Sequence, residues 1–337
     1  MKKRQFAIWL PTLGACLLAL LVFVRLLGGE GAETQVTAEG NDAYKTFLLA
    51  GVDEAGENTD MLTLCSFSKE DGRVRFLQIP RDTFYRTDKS TGKINRIYRA
   101  NVSKYGKNRA AEELTKEIQK AFAIPIDGYV VFDFNTVKDI VTLVGGVPVN
   151  VPQDISYFDG KTGEERTISA GERVLNGEEA VAFVRYRKGY AEGDLGRLDA
   201  QLRFLSGLST VLPSLKKVDS LVTIYQKILP NLLTNLNEKD IMEVMMACFK
   251  KRGALSLVFM RLPGEACYTN GAWYYVPYRN AAEEMLRREL GLSAAFDPER
   301  RFTDEKKETL SNIYFSKDRF YRVYTPEEVA NKRILHS

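Results

Sequence analysis

Between Val184 and Gln201 the chain reads VRYRKGYAEGDLGRLDAQ, bringing Arg185, Arg187, Lys188, Asp194, Arg197 and Gln201 into one short stretch. Guanidinium and ammonium groups held this close repel one another, and phosphate oxygens or several carboxylates would supply the missing charge. The apolar run Ala180 to Tyr186 predicts a strand, on which Arg185 and Arg187 would leave the same face. Arg197 and Gln201, four apart, share a face of the helix predicted over Leu195 to Val211. A solvated, salt-bridged strand end is the plain alternative.

Two further polar clusters fall where strands should end. In GVDEAGENTD, Asp53 follows one apolar run and Asp60 precedes the next, so pairing of those strands would converge two carboxylates on one sheet edge. Two carboxylates with water and substrate phosphate suit Mg2+, although aspartate in a Gly-rich stretch also forms turns. In IPRD, Arg81 and Asp82 follow a third strand, and Asp82 either steers Arg81, serves as a base or makes a local ion pair.

The elements that must position these groups follow from periodicity. Strands are predicted over Thr46 to Val52, Met61 to Phe67, Val74 to Ile79, Tyr129 to Asp133, Val147 to Val151 and Leu255 to Leu262. Helices are predicted over Asn108 to Phe122, over Thr136 to Val144 with Asn135 as N-cap and Gly145 past the end, and over Leu195 to Val211, Ser220 to Ile228 and Lys239 to Lys251. Their alternation predicts a single α/β domain with helices on both faces of a mixed sheet.

Composition narrows the chemistry. The only histidine is His336, next to the C-terminal residue, which argues against Ser-His-Asp and Cys-His catalysis and against histidine-ligated zinc. What is left is carboxylates, arginines, lysines and hydroxyls, a set suited to metal-assisted phosphoryl transfer. A net charge of +4 and the lack of any recognised nucleic-acid motif argue against a nucleic-acid partner. Four cysteines in 337 residues make no disulfide scaffold, though Cys248 and Cys267 could meet across the last strand or stay unpaired.

Lys2, Lys3 and Arg4 precede an apolar run from Phe6 to Val24, long enough to cross a bilayer. The positive flank predicts residues 1–5 in the cytoplasm, a single transmembrane helix over 6–27 and everything later outside the cell membrane, with a cleaved signal peptide as the rival reading. Residues 28–44 read as an extracellular linker, 45–292 as the folded domain and 293–337 as a charged, aromatic tail that packs on the domain or meets glycan.

Taken in order, FLLAGVD, the aspartate of NTDMLTL, IPRDT, Lys93 in KIN, IPIDGYVVFDF, LVGGVPVNVP, LNGEEAVAFVRYRK and GDLGRLDAQ resemble the LytR-CpsA-Psr family of cell-envelope phosphotransferases. The resemblance covers residues 45 to 290, with a weaker match at RLPGEACYTNGAWYYV. It implies a three-layer α/β/α sandwich with a central mixed sheet. It also implies transfer of a phosphorylated glycan, such as teichoic acid or capsular polysaccharide, from a polyprenyl-pyrophosphate lipid to a peptidoglycan hydroxyl. Matched by motif, Asp53 and Asp60 are metal-associated, and Arg81, Arg185, Arg187, Arg197 and Gln201 bind pyrophosphate. Lys93 and Asp194 also lie in family motifs, and Asp194 could simply cap the following helix. The implied lipid tail occupies an apolar pocket within the domain.

The chain departs from the family pattern at Glu54-Ala55-Gly56, at Asn58 and at Ala200, where relatives often carry arginines. The site is less basic in consequence, unless arginines such as Arg96 and Arg99 compensate. A non-catalytic glycan-binding scaffold or regulator, and a hydrolase that releases the glycan phosphate to water, are the competing readings. The base for the acceptor hydroxyl stays open among Asp53, Asp60 and Asp82.

Overall fold

The computed structural model describes residues 44–211 except 54, 69, 72 and 161, then 227–228, 231–236, 256–291 and 301–331 except 305. The expected transmembrane segment, nearly all of the linker, most of the helices expected over 220–228 and 239–251, and Cys248 lie outside these residues. Among the described residues no helix is long and apolar enough to cross a membrane.

The first three strands are β1 (Tyr44–Val52), β2 (Thr59–Ser68) and β3 (Arg73–Gln78), paired antiparallel in sequence. The small hairpin β4 (Phe84–Arg86) and β5 (Thr91–Lys93) leads into helix α1 (Arg96–Phe122), which is interrupted at Gly106. Strand β6 (Gly128–Asp133) runs parallel to β1. Helix α2 (Phe134–Val144) follows, then strands β7 (Val147–Val151), β8 (Ile155–Phe158), β9 (Glu165–Ile168) and β10 (Gly171–Leu175), which pair as β7 with β10 and β8 with β9. Helices α3 (Gly177–Arg185) and α4 (Asp194–Val211) come next, then strands β11 (Leu233–Thr234), β12 (Ser256–Arg261), β13 (Gly264–Thr269) and β14 (Ala272–Pro277). Helices α5 (Arg279–Leu290), α6 (Glu308–Tyr314) and α7 (Pro326–Asn331) complete the described chain.

The central sheet has the order β11-β6-β1-β2-β3-β12, with β1–β6 and β3–β12 parallel and the other pairs antiparallel. Strand alternation builds two cores. Phe47 and Leu49 point to the face shared with Phe67 and Phe76, which Val137, Ile140, Phe183 and Phe204 of α2, α3 and α4 cover. Leu48, Ala50 and Val52 point to the other, where Leu114, Ile118 and Phe122 of α1 and Met285 and Leu286 of α5 pack. Helices on both faces of a mixed sheet make the three-layer arrangement that the pattern predicts. Described residues of the C-terminal tail join both cores, Phe302, Leu310 and Tyr314 on the α1 side and Tyr324 and Val329 on the other.

Three local expectations are corrected. Ala180 to Tyr186 is not a strand: residues 177–185 form α3, because Asn176 caps Glu178 N and Glu179 N while the Glu179 carboxylate accepts from Asn176 N. That capping box outweighs the apolar, β-branched run that suggested an extended segment. Helix α2 is capped by Asp133, which accepts from Thr136 N at 2.8 Å, and so starts before Asn135. Helix α1 begins at Arg96 rather than Asn108, and Gly106, with φ 79° and ψ 170°, breaks it just ahead of its periodic half. Cys267 is a buried free thiol, and Cys65 is buried.

Helix α4, which carries Arg197 and Gln201, is seated against β7 through Gly207. A Cβ added there would fall 2.0 Å from the Pro148 carbonyl oxygen, so only glycine permits this approach.

Candidate functional site

Asp60 is the second residue of β2, and Arg81 follows Pro80 just after neighbouring β3 ends. Antiparallel pairing brings the start of one strand beside the end of the other, and an Arg81–Asp60 ion pair closes the gap. Arg81 Nη2 also lies 3.2 Å from Asp194 Oδ1, at the N-terminus of α4. One helical turn on, Arg197 places Nη2 at 2.9 Å from the same oxygen and Nη1 at 3.6 Å from Asp60 Oδ1. Arg187 approaches Asp194 from outside, with Nε at 3.8 Å. Two carboxylates thus stand among three guanidinium groups drawn from the end of an interior strand, a loop and a helix start.

Burial sharpens the electrostatics. Arg197 is only 4% exposed, and burial pushes its guanidinium below the ordinary value, with Arg81 and Arg187 adding repulsion against the pull of Asp194 and Asp60. Burial also works against the charge of Arg81, but Asp194, Asp60 and Asp82 outweigh it and hold that group above its ordinary value. Arg81 Nε, Arg197 Nε and Asp194 Oδ1 are buried with no aligned hydrogen-bond partner. The ion pairs therefore sit at contact distance without using the full hydrogen-bonding capacity of the cluster. Buried charged groups left in this state are costly.

Asp53 lies past the end of β1 and is held by its own loop. Oδ1 accepts from Glu57 N at 2.9 Å and Asn58 N at 3.3 Å, and Oδ2 accepts from Asn58 Nδ2 at 2.6 Å. Burial raises this carboxyl, but the donors of Asn58, Glu57 and Gly56 outweigh it and hold Asp53 below 3.8. Arg99 Nη1 donates to Asn58 Oδ1 at 3.4 Å, so Asn58 links an arginine of α1 to the carboxylate. Asp82 pairs with Lys93 Nζ at 3.0 Å. Asp53, Asp60, Arg81, Asp82, Lys93, Arg96, Arg99 and Arg187 all line one open cleft.

Arg185 goes elsewhere. As the last residue of α3 it lays its guanidinium 4.9 Å from the Phe134 ring centroid, in a groove it shares with Lys138, Phe158 and Arg187. The same-face pairing expected from a strand does not exist, and Arg187 alone of the two reaches the carboxylate cluster while also lining that groove.

Gln201 turns away from the charged cleft. Its amide donates to Val184 O at 3.4 Å, and it helps to line a mostly apolar cavity with Leu49, Gly51, Met61, Phe132, Val184 and Phe204. Asp60 and Met61 are consecutive in β2, so the cavity and the cleft are separated by one residue step of a strand.

No group of three or more histidine, cysteine, aspartate or glutamate side chains gathers among the described residues. Asp53 and Asp60 are nevertheless a suitable donor set for Mg2+, which takes one or two carboxylates and fills its sphere with water and phosphate. Both arginines meet Asp60 at Oδ1, and Asp53 accepts neutral N–H donors only.

Sequence reasoning missed two supports. Gln78, 1% exposed on β3, donates to Leu198 O at 2.9 Å and meets Gln201 Oε1 at 3.5 Å, and Arg261 Nε donates back to Gln78 Oε1 at 3.2 Å while also pairing with Asp199. The polar end of the strand RVRFLQ was the available signal.

A model of the LytR-CpsA-Psr family matches residues 27–290. The chain is 36% identical over 186 residues to the polyisoprenyl-teichoic acid–peptidoglycan teichoic acid transferase TagV of Bacillus subtilis (strain 168), a match covering 53% of this chain and 45%, or about half, of that protein. It is 28% identical over 266 residues to the TagU transferase of Bacillus mycoides (strain KBAB4), covering 77% and 82% of the two chains. The crystal structure of B. subtilis TagV superimposes with a TM-score of 0.61 at 26% identity, over 75% of this chain and all of that one (100%).

Proposed function

Because the chain belongs to the LytR-CpsA-Psr family, we propose that it transfers a phosphorylated glycan of the teichoic acid class from a polyprenyl-pyrophosphate carrier to a peptidoglycan hydroxyl. The relatives TagV and TagU carry names of this kind. The observation that carries the reading is the cluster of Arg81, Arg187 and Arg197 around Asp60 and Asp194, one strand step from an apolar cavity. A ligand that joins a hydrocarbon chain to a diphosphate fits that juxtaposition. The hydrocarbon enters beside Gln201, Met61 and Phe204, and the phosphate oxygens replace the carboxylates on the arginine forks.

In the transfer, an acceptor oxygen bonds to the phosphorus that carries the glycan, and the bond from that phosphorus to the bridging oxygen breaks. The lipid leaves as its monophosphate. Arg81 and Arg197 neutralise the charge that accumulates on the bridging and non-bridging oxygens, and buried, preorganised guanidinium groups do so with little rearrangement. Mg2+ held by Asp53 and Asp60 would supply further charge neutralisation at the phosphate. The hydroxyl proton passes to Asp82. Two arginines already meet the Asp60 carboxylate and three N–H donors hold Asp53, whereas the direct ion-pair partner of Asp82 is Lys93.

The apolar run within residues 6–27 and the basic residues before it support a reading in which the domain lies outside the cytoplasmic membrane, close to the lipid donor. Incubation of the full-length protein with polyprenyl-pyrophosphate glycan labelled in the sugar, Mg2+ and cell-wall sacculi tests the proposal. Label is expected in the sacculi. Label that stays on the lipid, or appears as free glycan phosphate, contradicts transfer.

A further inference from the structure

The hairpin of β13 and β14 presents two large aromatic side chains to solvent. Trp273 is 57% exposed and Tyr268 60%, and they are direct cross-strand partners with ring centroids 5.3 Å apart and planes tilted by 54°. Neither ring is buried in a core, so their packing accounts for little of the apolar surface they leave in water. The turn that carries them is fixed. Asn270 and Gly271 both have positive φ, at 50° and 75°, as a tight two-residue hairpin turn requires.

The hairpin is also tied to the charged cleft. Tyr275 N donates to Asp82 O at 2.9 Å, Tyr275 bridges to Thr83, and the Tyr275 hydroxyl donates to Leu262 O at 2.5 Å. These bonds anchor the base of the strand beside the Pro80-to-Thr83 segment that supplies Arg81 and Asp82. Trp273, Ala272 and Gly271 line the same cleft as Asp60, Arg81, Lys93 and Arg187. The apolar cavity opens off the other side of the Asp60–Met61 step. Arginines and indole therefore line one cleft, with the indole placed for the next group of a ligand whose phosphates meet the arginines.

On the reading under "Proposed function", that next group is a sugar. We propose that Trp273, backed by Tyr268, is a saccharide-binding platform that packs against the pyranose ring borne by the transferred phosphate. An indole suits this ligand because the C–H-bearing face of a sugar ring is weakly positive and the face of an aromatic ring weakly negative, while the ring hydroxyls stay in water. The adjacent cations Lys93 and Arg187 suit the phosphate attached to that sugar. Trp273 is thus a substrate-binding and selectivity residue, set apart from the phosphorus chemistry.

The test compares two ligands on the full-length protein in detergent: a prenyl pyrophosphate, and the same prenyl pyrophosphate carrying one N-acetylhexosamine. Trp9 and Trp273 are the only tryptophans, so Trp9→Phe makes indole fluorescence report on Trp273 alone. The sugar-bearing ligand is expected to change that emission and to bind more weakly to Trp273→Ala by roughly fivefold to tenfold. Trp273→Tyr should recover part of the loss, and the sugar-free ligand should bind wild type and all variants equally. Equal affinity of Trp273→Ala and wild type for the sugar-bearing ligand overturns the platform while leaving the pyrophosphate site intact. Failure of both ligands to bind wild type overturns the pyrophosphate reading and the platform with it. An emission change with ligand-free phospholipid vesicles and none with the sugar ligand assigns the aromatic pair to a membrane surface and also overturns it.

Discussion

Asn58 donates its side-chain amide to Asp53 Oδ2 at 2.6 Å. The same side chain accepts from Arg99 at 3.4 Å, so a neutral residue passes positive polarisation to the carboxylate. The cleft keeps an ordered Asp53 with less charge, and Arg96 and Arg99 of α1 stand at its wall.

Asn58→Ala should move the Asp53 carboxyl upward. In the wild type the donors hold it below 3.8, so the stability that Asp53 contributes is present above that value and is lost as pH falls through the lower folded-state value. Carboxylate NMR titration of wild type and Asn58→Ala checks this, and an unchanged midpoint would refute the role given to Asn58.

Asp194→Ala removes the carboxylate that three arginines share and leaves Arg197, with a side chain 5% exposed, the Asp60 carboxylate at 3.6 Å and the Asp60 carbonyl at 3.4 Å. Removing one partner of a buried pair costs about 3 kcal/mol or more. Urea unfolding should register that loss, and added pyrophosphate should stabilise the variant more than the wild type. A loss of only about 1 kcal/mol, with no extra stabilisation by pyrophosphate, would mean that Asp194 merely caps α4.

Arg187 and Arg185 should separate in function. Arg187→Lys keeps the charge but loses the planar fork, and at roughly 1.5 to 3 kcal/mol per charge-assisted bond it should lose about tenfold or more in turnover. Arg185→Ala, which removes a group stacked on Phe134, should lose less. Steady-state kinetics on Arg185→Ala, Arg187→Ala and Arg187→Lys decide this, and wild-type values for both Arg187 variants would remove that residue from the phosphate site.

The metal assignment predicts that Asp53→Ala and Asp60→Ala each abolish the Mg2+ dependence of turnover. Calorimetric titration of Mg2+ in the presence of a prenyl pyrophosphate reads this out. Wild-type metal affinity in both variants contradicts it.

Much of the fold was legible because β1, β2, β3 and β6 are buried strands bounded by Gly-rich or charged turns, whose types local sequence specifies. The main error, α3, came from reading AVAFVRY by its apolar run alone. The cap at Asn176 with Glu179 three residues on was the stronger signal, and it changes where Arg185 points. Asp60, Arg81, Asp194 and Arg197 could be singled out by type, as charges crowded at predicted strand and helix ends. Their mutual distances could not, because pairing of β2 with β3 and seating of α4 on β7 through Gly207 are long-range facts. Trp273 escaped notice for the same reason: nothing local reveals that its hairpin docks beside Asp82.

Product stoichiometry tests the central claim most directly. With polyprenyl-pyrophosphate glycan and peptidoglycan, 31P NMR and mass spectrometry should find one polyprenyl monophosphate released for each glycan–peptidoglycan phosphodiester formed, with both products lost together in Arg81→Ala. Lipid monophosphate accompanied by free glycan phosphate, or products unaffected by loss of Arg81, would contradict a transferase built on this arginine cluster.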